Sequence, residues 1–248
     1  MEINNPAGRL LNILEEGKMI DSKMINRDAW KKLLCHPDDY DYLLIGRIGK
    51  VFALPDEIYK ELTLVENNRI NAYMSWTKNL ESSLNACRLD RPWAEFINTI
   101  TDQILNPLAM TSEFLSAQRP QFSVEKSELD KISSDSQALL DLIINSSLET
   151  NLKSYFIEQL RKIRHAIEEF KITGAAPVIE IVESTFGKFR TNKEAFEDSV
   201  NDEGLKHKFW DFMHKTAVVL TVVNGLNQLP NFNNDSTSNS KPFFLEDR

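Results

Sequence analysis

Apolar residues recur along this chain at intervals of three and four, with polar residues between them. That spacing gathers them on one face of an α-helix, so the pattern predicts helix after helix and little sheet. The first helix has its ends written in the sequence: Asn5 suits the N-cap, Pro6 the first turn and Gly17 the C-cap. Leu10, Leu11 and Leu14 share its inner face. A second helix starts at Asn26, turns Trp30, Leu33 and Leu34 inward and is interrupted at Pro37. Tyr40, Leu43, Leu44, Ile48, Val51 and Phe52 predict a third, weakened by Gly46 and Gly49.

Beyond Pro55 the helical pattern resumes and runs, with one break near Val65, towards Cys87. Ile70, Tyr73, Thr77, Leu80, Leu84 and Cys87 form a seam of coiled-coil type. It is too short to stand alone, so packing within a bundle is expected. Pro92 opens a helix with Trp93, Phe96, Ile97, Ile100 and Ile104 on one face, which Pro107 ends or kinks. After Pro120 a polar-rich helix carries Leu129, Ile132, Leu139, Leu140, Ile143 and Ile144 inward.

Asn145-Ser146-Ser147 is a short turn, so the following helix returns antiparallel. That helix has the strongest periodicity of the chain, through Leu152, Tyr155, Phe156, Leu160, Ile163, Ile167 and Phe170, with Gly174 as its cap. Pro177 restarts a helix bearing Val178, Val182, Phe186 and Phe189. The last places Leu205, Phe209, Phe212, Met213, Ala217 and Leu220 on one face. Val218 to Val223 is rich in β-branched residues and has a strand as its alternative, but periodicity that begins earlier and continues through it favours helix.

The fold class expected is therefore all-α, an irregular multi-helix bundle of about eight helices divisible into two helical subdomains. The parts are an N-terminal helical region over 1–115, a boundary over 116–123, a C-terminal helical region over 124–229 and a tail over 230–248. Residues 230–241 are polar and of low complexity and are expected to be mobile. Behind them Phe243, Phe244 and Leu245 look like a docking segment or a patch that folds back on the same chain. No repeat of fixed period is present, which counts against a regular solenoid.

Composition narrows the function classes. Hydrophobic residues make up 42% and charged residues 27% of the 248, which is ordinary for a globular protein and argues against global disorder. A net charge of -8 offers no electrostatic footprint for nonspecific nucleic-acid or anionic-lipid binding, although a local basic patch stays open. The longest apolar run, Ala217 to Val223, is well short of the roughly 18 residues a membrane span needs. Met-Glu-Ile-Asn-Asn-Pro at the start lacks the pattern of a signal peptide. Cys35 and Cys87 read as buried free thiols in a reducing compartment, so a cytoplasmic location is expected.

The chemistry-bearing residues fall into four groups. Arg164-His165-Ala-Ile-Glu-Glu169 sits on the strongest helix. It resembles the first half of the motif of helical HEPN ribonucleases, in which an Arg, a polar residue, three further positions and a His converge on RNA across a dimer. The resemblance implies Arg164 and His165 as catalytic groups, but Glu169 stands where the second basic member belongs. A solvated charged face explains the same residues, through Glu158–Lys162, Arg164–Glu168 and His165–Glu169 pairs at four-residue spacing.

Cys35, His36, Asp38, Asp39 and Asp41 concentrate metal-ligating types, but Pro37 breaks the spacing a metal enzyme needs. An inter-helix loop whose aspartates favour the next helix start is the alternative. Gly46-Arg47-Ile48-Gly49 matches the bare GXXG of an RNA clamp without its strands, and small residues for close helix approach account for it instead. His207 and His214, seven apart, do not make a site alone.

The reading is a non-enzymatic helical interaction protein, a regulator, adaptor or effector, with no metal or cofactor. Its expected partner is a protein, including a second copy of itself. Membrane is not expected, and nucleic acid ranks behind protein. The opening Asn4-Asn-Pro-Ala-Gly-Arg-Leu-Leu11 and the general texture are similar to bacterial proteins of mobile or defence islands. That likeness implies a phage-defence or toxin–antitoxin setting. The alternative function is an RNA-cleaving or RNA-binding HEPN-like protein.

Overall fold

The computed structural model describes residues 4–35, 40–66, 68–118, 124–191 and 203–223. Among them are twelve helices and no strand, beyond an isolated bridge between Ile25 and Pro92. They are α1 (Pro6–Lys18), α2 (Asn26–Leu34), α3 (Asp41–Val65), α4 (Ile70–Tyr73), α5 (Thr77–Ala86), α6 (Trp93–Ile97), α7 (Asp102–Gln118), α8 (Lys126–Ile144), α9 (Thr150–Glu168), α10 (Phe170–Thr173), α11 (Ala176–Thr191) and α12 (Glu203–Val223). The class is all-α as the periodicity requires. The number exceeds eight because tight turns split three stretches into short helical pieces, α4, α6 and α10.

Asn5 caps α1 by accepting from the Gly8 N–H at 2.8 Å, and Pro6 occupies the first turn. Gly17 does not close the helix. It lies within α1, which ends on Met19, and its missing side chain makes room for Trp93. Neither of two prolines interrupts its helix. α3 continues past Pro55 and α7 past Pro107, so neither residue ends its helix. A proline inside a helix costs about 3 kcal/mol. Leu54, Ile58 and Leu62 around the first, and Ile104 and Leu108 around the second, are buried almost completely and offset that cost.

Gly46 and Gly49 permit no close approach either: a Cβ at each would meet nothing within 4 Å. The seam from Ile70 to Cys87 is interrupted, with Tyr73 ending α4, Thr77 starting α5 and the buried Trp76 between them. Ile144 points outward rather than inward. Val218 to Val223 is helix, the final turns of α12. The two cysteines are free thiols but half-buried, not enclosed.

The buried apolar residues form two clusters. The first is drawn from Ala7 to Leu115 together with Ile172, and within it Trp30 meets Trp93 edge to face while Phe96 lies tilted against both. The second runs from Val124 to Leu220. In the second, α8 packs on α9, α9 on α11, α11 on α12 and α12 back on α8, a closed ring of four. α9 begins where the Glu149 side chain accepts from the N–H groups of Asn151 and Leu152. Ser136 on α8 donates to the Leu160 carbonyl, and Lys153 on α9 donates to that of Ser146, a register that makes α8 and α9 antiparallel. Phe156 of α9 stacks on Phe209 of α12 at 3.9 Å across the ring.

Candidate functional site

The ring is not sealed equally on all sides. Between α8 and α12 runs a groove of about 580 Å³. Ile132, Leu139 and Phe212 form its floor, and Leu142 and Val218 stand at its edge with 50% and 37% of their surfaces exposed. Both walls carry alternating charge, Glu128, Lys131 and Asp135 from α8 and Lys208, Asp211 and Lys215 from α12. Lys215 donates to Asp211 at 2.6 Å, and that carboxylate holds its ammonium above the usual range, with Asp135 across the groove adding to the effect.

Sequence left a trace of this groove. Leu139-Leu140-Asp141-Leu142-Ile143-Ile144 and Ala217 to Val223 are apolar around too much of the helix for one inward stripe. A helix of the ring can bury one stripe, so the surplus falls outside.

Arg164 and His165 are brought to the same turn of α9 but not to a common point. Arg164 reaches back to α8, donating to the Gln137 side chain, and lies 3.7 Å from Glu168. His165, 52% exposed, sits 3.5 Å from Glu169. Adjacent residues of a helix are turned about 100° apart, which keeps the two groups from converging. The three pairs at four-residue spacing, Glu158–Lys162, Arg164–Glu168 and His165–Glu169, are all made.

Glu169 departs from the solvated face expected of it. Its side chain is only 7% exposed, and Arg47 and Lys50 of α3 reach it from the first cluster. Arg47 is itself 1% exposed, donates to the Leu34 carbonyl at 3.1 Å and lies 3.7 Å from Glu168. Nothing in its local sequence marks Arg47 for burial, because its partners are far along the chain.

Of the metal-ligating types, Asp41 sits in the first turn of α3 and pairs with Arg27 at 2.7 Å. Cys35 follows α2, and His36, Asp38 and Asp39 lie outside the described residues. Among the described residues no three His, Cys, Asp or Glu side chains gather to hold a metal ion. Phe243, Phe244 and Leu245 also lie outside the described residues. No helix among those described is long and apolar enough to cross a membrane.

No protein-family model, curated protein or solved structure matches this chain.

Proposed function

We propose that this protein acts by holding another protein, and that the α8–α12 groove is the holding surface. The observation that carries the reading is the exposed apolar edge of Leu142 and Val218 above a floor of Ile132, Leu139 and Phe212. Apolar surface left open between two helices suits an amphipathic helix laid along it. The walls alternate in sign, so the partner helix that fits best flanks its apolar stripe with both acidic and basic residues. The setting we propose is a mobile or defence cassette, as a regulator, adaptor or effector, and the first bait to try is a protein encoded beside this chain.

The test is photo-crosslinking from position 142 with that bait, beside the Leu142→Asp and Val218→Asp variants. We expect a crosslink from position 142, and loss of binding in both variants with unchanged circular dichroism. Undiminished binding by both variants would overturn the reading. RNA cleavage by the wild type that is lost in Arg164→Ala or His165→Ala would replace it with the ribonuclease. Sedimentation of the protein alone covers the case in which the bound helix comes from a second copy.

A further inference from the structure

Between the two apolar clusters the contacts change character. Among the described residues, Ile172 is the one apolar side chain from beyond Leu115 that is counted in the first cluster. Around it the joint is polar. Arg9, largely buried in α1, donates to the Ile172 carbonyl and pairs with Glu57 at 3.0 Å. Burial draws its guanidinium below the usual range, and Glu57 and then Glu61 oppose that. The Ala175 N–H donates to the Asn4 side chain at 2.8 Å. Lys171 reaches across to Glu16 at 2.5 Å and to the Leu33 carbonyl at 3.3 Å.

The densest part of this joint is Glu169. Arg47 Nε lies 3.6 Å away, Lys50 Nζ is in direct contact, and His165 Nε2 stands at 3.5 Å on the helix's own side. Beside it a cleft of about 410 Å³ opens between the clusters, walled by Lys32, Leu34 and Arg47 from one side and by Asp130, Glu168 and Phe170 from the other. The chain passes from α7 to α8 once, between Gln118 and Val124.

We propose that this joint is a clasp. The units α1–α7 and α8–α12 separate along it, and Glu169 is the point of release. Joints of this kind between chain segments resemble transient protein interfaces, and relative motion is their default unless they are large and apolar. Apolar contact weakens gradually as surfaces slide. A buried ion pair is held by close geometry and is lost when its partners separate, because each charge must then be resolvated. The joint is therefore either shut or open, and opening widens the cleft that Arg47 and Glu168 wall. This inference does not depend on the α8–α12 groove having a partner.

Glu169→Gln tests it, keeping the shape and removing the charge. Spin labels at Tyr59 of α3 and Leu142 of α8, both exposed, report the distance between units. Trp210→Phe leaves Trp30, Trp76 and Trp93, so tryptophan fluorescence then follows the first cluster alone. In the otherwise unaltered Trp210→Phe protein we expect fluorescence and circular dichroism to change together in urea. With Glu169→Gln added, the two curves should part, and the label distances should broaden towards longer values with helicity retained. Coincident curves and unchanged distances would overturn the clasp.

Two further variants keep the proposal decidable. If Glu169→Gln fails to fold, Lys50→Ala on the exposed rim should give the same separation in smaller measure, and no separation there overturns the clasp as well. Arg47→Met combined with Glu169→Gln removes the uncompensated buried charge. If Glu169 serves only to neutralise Arg47, the double variant regains coincident curves and the clasp is wrong. If Glu169 is the release point, the curves stay parted.

Discussion

The indole N–H of Trp93 donates to the carbonyl of Gly17 at 2.8 Å, and its ring lies 3.1 Å from where a Cβ on Gly17 would stand. Ile97 closes the same space at 3.2 Å. α1 can approach α6 this closely only because residue 17 has no side chain.

Trp93 is fully buried and tied by its indole N–H, so it has little room to give. Gly17→Ala is therefore expected to destabilise the protein by an overpacking cost of about 1–3 kcal/mol, less the roughly 0.5–1 kcal/mol that alanine gains inside a helix. Gly46→Ala and Gly49→Ala lie in the exposed interior of α3 with nothing to strike, and should each stabilise by roughly 0.5–1 kcal/mol. Urea unfolding of the three variants checks the contrast in sign.

Gly174 caps α10 with φ 68° and ψ -159°, a backbone region essentially reserved for glycine. A Cβ there would also stand 2.5 Å from the Asn4 side-chain oxygen that accepts from Ala175. Gly174→Ala should cost at least about 1–3 kcal/mol from the backbone alone. Asn4→Ala, which removes the nearest of these contacts but leaves the Asn4 carbonyl at 3.2 Å and Arg9 Nε at 3.3 Å, should recover only part of the loss. A double-mutant cycle in denaturant measures this.

Leu160 and Leu142 separate core from surface. Leu160 is fully buried between α8 and α9, and Leu160→Ala should lose about 2–5 kcal/mol. Leu142→Ala, half-exposed at the groove edge, should stay within about 0.5 kcal/mol. A large loss at Leu142 would mean that the edge is part of the core.

Burial pushes the Cys87 thiol up, while the Trp30 indole N–H at 3.4 Å from its sulfur pulls the other way. The unfolded thiol loses its proton at lower pH than the folded one, so the unfolded state binds fewer protons in that window. The contribution is full below the ordinary thiol value of about 8.5 and is lost as pH rises beyond it. Alkylation of Cys87 near pH 8.5 should be slower in the native protein than in urea, and Cys87→Ser should flatten the alkaline fall in stability. Equal alkylation rates in the two states would contradict the shift.

The helices were legible where local pattern and tertiary packing agree. α9 follows its apolar stripe through Leu152, Phe156, Leu160 and Ile163, and α1 starts where Asn5 and Pro6 direct it. Pro55 and Pro107 did not end their helices because the local penalty is overridden by burial of residues that contact distant segments. Glu169 was out of reach for the same reason. Its local neighbours suggest a solvated face, whereas Arg47 and Lys50, which bury it, belong to a helix more than a hundred positions earlier. The groove was half legible: Leu142 shows an excess of apolar surface on α8, but only the ring of four helices says that α12 faces it.

Ile172 sits 2% exposed among buried residues that all lie at or before Leu115 in the chain. During synthesis the first cluster leaves the ribosome with that space unfilled. At about 5–20 residues per second, the plug arrives roughly 3 to 11 seconds after Leu115. A chain cut off at Leu115 therefore lacks one side chain of its own core, and the first cluster is completed only by a residue of the second half.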